Sequence, residues 1–108
     1  MNSTSAPIQP DRQDADMETR RVQVYGRVQG VGFRYATVEQ ARQLAVCGWV
    51  RNRIDGSVEA TIQGSAPQLD RMQAWLAHGP RNARVDRLQT QAVDHAPVYP
   101  TFTQYPDA

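Results

Sequence analysis

Between positions 22 and 45 the chain changes its hydrophobic period once, and two glycines mark the change. Val22, Val24, Gly26 and Val28 alternate with Gln23, Tyr25 and Arg27. Period two with one apolar face describes a half-buried strand. Gly30 and Gly32 break the pattern, and from residue 33 to 46 it becomes helical. Thr37, Val38, Ala41, Leu44 and Ala45 then share one face.

The remaining elements read in the same way. Gly48 follows the last periodic residue and is expected to end the helix. Residues 49–53 form a short strand, and Asp55-Gly56 predicts a tight hairpin. Residues 57–63 return with Val58, Ala60 and Ile62 inward. Ser65 and Gln68 have capping-box spacing, with Pro67 in the first helical turn. Leu69, Met72 and Leu76 supply the apolar stripe, and Gly79-Pro80 stops this second helix. Residues 83–93 form the last long strand, whose inward parity slips between Val85 and Leu88, so a bulge is expected there. Residues 94–100 read as a loop, and residues 101–105 as a short fifth strand at an edge. The order β-α-β-β-α-β predicts an α+β ferredoxin-like sandwich, with an antiparallel sheet and both helices on one face.

With 108 residues, the chain has room for one domain. Its net charge of +1 is unevenly spread. Residues 1–18 carry Arg12 against Asp11, Asp14, Asp16 and Glu18. Polar residues and prolines dominate there, so this stretch is expected to be a disordered tail without an export signal. The domain is expected over residues 19–108, where eleven arginines face seven acids and lysine is absent. No apolar run approaches a membrane span. Cys47 is the single cysteine, which excludes a disulfide within the chain and leads us to expect a reducing, cytoplasmic setting.

The turn Gln29-Gly30-Val31-Gly32-Phe33-Arg34 carries the strongest chemical signal. Two glycines let the backbone curl so that several N–H groups converge on one spot. The helix start adds unpaired N–H groups and positive dipole. Arg34 can place a bidentate guanidinium over the same spot. The turn reads as a phosphate cradle, although on these residues alone a plain glycine turn followed by a surface arginine is an equal alternative. A nucleotide P-loop is excluded because the chain has no lysine. Tyr35 replaces the third glycine of the dinucleotide fingerprint, and Val28 stands where a phosphatase cysteine would be.

The stretch from Gly26 to Arg34, Gly-Arg-Val-Gln-Gly-Val-Gly-Phe-Arg, resembles the first signature of acylphosphatases at every fixed position. The stretch Gly48-Trp49-Val50-Arg51-Asn52-Arg53-Ile54-Asp55-Gly56-Ser57-Val58-Glu59 resembles the second. The resemblance implies hydrolysis of the carboxyl–phosphate bond of an acyl phosphate by direct attack of water. It implies Arg34 as the phosphate clamp and Asn52 as the residue that orients the water. The backbone of Gln29, Gly30, Val31, Gly32, Phe33 and Arg34 would form the cradle. No metal or cofactor is expected. The partners expected are a small-molecule acyl phosphate and, as product ligand, inorganic phosphate. Neither nucleic acid nor membrane is expected to bind, and the chain is expected to act as a monomer. An amide is a poor base, so the water's proton is expected to go to a phosphate oxygen of the substrate.

Other residues carry blander expectations. His78 and His95 stand in no metal-ligand motif, and His78 is expected to help end its helix. Glu59 falls on the outward parity and is expected to be solvated. Trp49, Trp75 and Cys47 are expected in or near the core. Arg51 and Arg53 have parity opposite to Asn52 and would cover the open sheet face or extend a positive field. The rival functional class is a non-catalytic binding module for an anionic ligand or RNA. Sheet-face RNA binding needs aromatic residues on the central strands, and Tyr25 is the one aromatic residue identified there from sequence. A second rival is a small-molecule-sensing regulatory domain.

Overall fold

Strand β1 (Glu18–Arg27) buries Val22 and Val24 completely, and its other residues are half-buried or exposed. It turns through the glycines into helix α1 (Phe33–Gln43), then β2 (Cys47–Asn52), β3 (Val58–Gly64), helix α2 (Ala66–Leu76), β4 (Arg84–Ala92) and β5 (Phe102–Gln104). This computed structural model describes residues 17–108. The disordered tail expected over residues 1–18 therefore lies almost wholly outside the described residues, and β1 starts at Glu18, one residue before the expected domain start. Among the described residues no helix is long and apolar enough to cross a membrane.

The five strands form one sheet in the order β4-β1-β3-β2-β5. Four of them pair antiparallel. The expected fifth strand is present, but it runs parallel to β2, so the sheet is mixed rather than antiparallel. Phe102 anchors it, 1% exposed, in the same core as Val22, Val24, Val50, Val58, Ala60 and Ile62. Helix residues Phe33, Ala41, Leu69, Met72 and Leu76 complete that core. Thr37 sits among them because its Oγ1 donates to the carbonyl of Phe33 at 2.7 Å. The capping box at Ser65 and Gln68 forms in both directions. The bulge falls where the parity slips: Tyr25 pairs with Arg87 and Gly26 with Val85, which leaves Asp86 as the extra residue.

Helix α1 ends earlier than the glycine pattern suggests. Ala45 takes the left-handed conformation at φ 58°. Val46 N–H then reaches Ala41 O at 2.8 Å and Ala45 N–H reaches Arg42 O at 3.2 Å, which is a Schellman closure. Gly48 lies inside β2 instead. At its φ of 133° a Cβ would collide with the Thr61 carbonyl, so glycine is required there for close strand approach.

The outer sheet face differs most from expectation. Glu59 is not solvated; it is 3% exposed. Its Oε1 accepts from Arg51 Nε at 2.9 Å and Arg53 Nη1 at 3.0 Å, and Arg21 stands 3.8 Å from Oε2. Arginines from β1, from β2 and from the residue just after β2 thus close over one carboxylate on β3, and their stems exclude water from it. Trp49 is also outside the main core. It stacks on Tyr105 at 5.1 Å between ring centroids, with the Arg51 guanidinium 5.0 Å from its ring. Trp75 is near the core as expected, tilted against Phe33. Glu59→Ala would leave three partly solvated arginines without their shared anion. It is expected to cost about 1–3 kcal/mol, less than for a fully buried pair because the arginines can rehydrate. Urea unfolding of the two proteins checks this.

Candidate active site

The turn between β1 and α1 is anchored at both ends by buried side chains. Val28 is 1% exposed and Phe33 2%, so the backbone between them is fixed while its glycines face outward. Gly30 and Gly32 adopt φ of 74° and 80°, and a Cβ at either would meet nothing within 4 Å. Glycine is thus needed for the backbone conformation and not for space. Gly32 caps α1, and the first helical hydrogen bond runs from Ala36 N–H to Gly32 O at 3.0 Å. The N–H groups of Phe33, Arg34 and Tyr35 therefore have no carbonyl within the helix to bind. They open on the same mouth as the glycines.

Asn52 is tied to the turn through its neighbour Arg53, whose carbonyl accepts from Gln29 Nε2 at 2.8 Å. Asn52 is the last residue of β2 and 9% exposed. Its side-chain amide has no hydrogen-bond partner among the described residues. Beyond it, residues 53–57 form the hairpin. Gly56 N–H bonds to Arg53 O at 3.1 Å and Arg53 N–H to Ser57 O at 2.9 Å. The Asp55 carboxylate accepts from the Ser57 hydroxyl at 2.6 Å and from its N–H at 2.9 Å. The Ser57 hydroxyl, before its N–H, holds the Asp55 carboxyl below its ordinary value of 3.8.

Gln29 joins the two halves. Its Nε2 donates to Arg53 O at 2.8 Å and to Ser57 O at 2.9 Å. Both amide hydrogens are used, and the turn is locked against the hairpin that carries Asn52. Gln29 thus has a side-chain task that sequence reading, which assigned only its backbone, did not identify. The side chain of Arg34 is 31% exposed, and its Nη1 lies 2.9 Å from Asp107 Oδ1. Ala108 N–H bonds to Asn52 O at 3.0 Å. Residues 107 and 108 therefore touch both Arg34 and Asn52. A cavity of about 720 Å³ lies elsewhere, lined by Glu18, Arg20 and His95 at the opposite end of β1. Among the described residues no three His, Cys, Asp or Glu side chains are placed to hold a metal ion. His78 lies just past the second helix, with Nδ1 3.1 Å from Ala74 O.

Residues 20–104 match the sequence pattern of the family described as Acylphosphatase. The chain belongs to the acylphosphatase family. An acylphosphatase of Paraburkholderia xenovorans (strain LB400) is 52% identical over 92 residues, covering 85% of this chain and 95% of that protein. One of Burkholderia mallei (strain NCTC 10247) is 61% identical over 78 residues, 72% of this chain and 80% of its own. The solved structure of an acylphosphatase from Coxiella burnetii has a TM-score of 0.83 at 28% identity, covering 88% of this chain and 99% of that one. The acylphosphatase match includes the glycine turn, Arg34 and Asn52, and ends before Asp107.

The hairpin's carboxylate gives a pH test of this frame. A carboxyl held below its ordinary value adds stability above that value, and the contribution is lost as pH falls through the folded one. Asp55→Asn is therefore expected to melt below the unsubstituted protein above pH 3.8, with the gap narrowing in more acid solution. Thermal melts across the acid range measure that gap.

Proposed function

We propose that this chain hydrolyses the carboxyl–phosphate bond of acyl phosphates. The observation that carries the reading is the Gln29 amide, which holds an anion-binding turn against the strand end bearing Asn52. In this reading the phosphoryl group sits on the N–H groups of residues 29–34, with Arg34 forking two of its oxygens. An acyl phosphate is a mixed anhydride whose leaving carboxylate is already a weak base. The protein need not supply a strong general acid. It must position the phosphoryl group and neutralise its oxygens as the transition state forms.

Asn52 orients the water, its carbonyl accepting a proton contact and its NH₂ donating. The water oxygen bonds to phosphorus, and the bond from phosphorus to the acyl oxygen breaks. The carboxylate leaves with the electron pair. One of the water's protons passes to a phosphoryl oxygen and the other stays on the attacking oxygen, so the products are carboxylate and dihydrogen phosphate, which then equilibrates with solvent. Fixed N–H dipoles, the helix end and a guanidinium supply the positive charge that a divalent cation supplies in other phosphoryl-transfer sites. We therefore read the reaction as metal-independent.

The rival platform for RNA gains Trp49 and Tyr105 on the outer face. Those two rings stack on each other, Arg51 lies over Trp49 and Arg87 covers Tyr25 at 4.0 Å. Bases would have to displace these contacts, so hydrolysis is the reading we adopt.

Benzoyl phosphate turnover tests it. Activity is expected to survive a chelator unchanged. Arg34→Ala is expected to lower kcat about 10²–10³-fold, the cost of removing one donor to a developing oxyanion, and Asn52→Ala about 10²-fold. Near-normal turnover in both variants would refute the assignment, and loss of activity in chelator would refute metal independence.

A further inference from the structure

Residues 105–108 extend past the family match, which stops at residue 104, and they lie on the site. Tyr105 N–H donates to Val50 O at 2.8 Å, Ala108 N–H to Asn52 O at 3.0 Å, and Ile54 N–H to Ala108 O at 2.7 Å. These bonds continue the β5–β2 pairing beyond Gln104, to the end of β2 and into the hairpin. The strap is thus held by backbone hydrogen bonds together with the Tyr105 ring stacked on Trp49. What it delivers is the Asp107 carboxylate, 2.9 Å from the Nη1 of Arg34.

A carboxylate and a phosphate edge present the same pair of oxygens to a guanidinium fork. Asp107 therefore stands where a phosphoryl oxygen would bind if Arg34 is the clamp, and this inference rests on that reading. The Asp107 side chain is 64% exposed and that of Arg34 31%, so solvent anions can reach the pair and exchange with it. A phosphoryl group gains the N–H groups of the cradle as well as Arg34. Asp107 reaches the guanidinium alone, by its one hydrogen bond.

We infer that the 105–108 strap is an intramolecular competitor for the anion site. Asp107 occupies Arg34 in the anion-free protein, yields it to the incoming phosphoryl group and takes it back as phosphate leaves. An exposed pair of this kind shifts a competing equilibrium by about two- to fivefold.

Calorimetric titration with inorganic phosphate tests this on the full chain, using the unsubstituted protein, Asp107→Asn and Arg34→Ala. KM and kcat for benzoyl phosphate are measured alongside. Asp107→Asn is expected to bind phosphate about two- to fivefold more tightly and to lower KM by a similar factor without raising kcat. Unchanged phosphate affinity in Asp107→Asn would overturn the inference. So would weaker affinity, which would make Asp107 a positioning residue for Arg34. Arg34→Ala separates the two layers. If it loses phosphate while Asp107→Asn behaves like the unsubstituted protein, the competitor alone fails. If it keeps full affinity, the clamp fails with it.

Discussion

One side-chain amide determines whether the two halves of this site face each other. The glycine turn leaves β1 and the Asn52 hairpin joins β2 to β3, and β3 separates those strands in the sheet. Sheet pairing brings both to the same end of the molecule but does not fix loop against loop. Gln29 does so with two hydrogen bonds, to the carbonyls of Arg53 and Ser57 on the two sides of the hairpin. Around it, Val28 and Phe33 anchor the turn in the core, and Asp55 braces the hairpin through Ser57. Each of these contacts limits motion of groups that, in the proposed mechanism, act on one phosphoryl centre, where small misplacements are costly.

The arginine-rich composition takes on a different meaning once its partners are known. Arg21, Arg51 and Arg53 are drawn to Glu59 on the outer face, Arg20 to Asp70 and Arg84 to Asp86. These pairs cover strands and helix faces. Arg34 differs from them in lying at the glycine turn, with its acid brought there by the 105–108 strap. The mild positive excess of the folded region lies with Arg27, Arg42, Arg71, Arg81 and Arg87, which pair with no acid among the described residues.

Periodicity made the element order, the inward residues and the β4 bulge readable, because each depends on short-range pattern. The glycine turn was readable too, since positive φ at Gly30 and Gly32 demands that residue. Three features were not. Helix α1 ends at an alanine in the left-handed region, a conformation its sequence does not advertise, so Gly48 looked like the stop. Glu59 has outward parity, and only the side chains of neighbouring strands turn that outward position into a buried one. Asp107 meets Arg34 across 73 positions of chain, through a parallel strand whose direction no local signal sets. In each case the missing information is tertiary.

At the centre of this account is a phosphoryl group held on N–H groups and Arg34 while water attacks phosphorus. Enzymatic hydrolysis of benzoyl phosphate in ¹⁸O-labelled water, corrected for the spontaneous reaction, tests it most directly. The account predicts that the label appears in inorganic phosphate. Label in benzoate would mean attack at the carbonyl carbon and would contradict it.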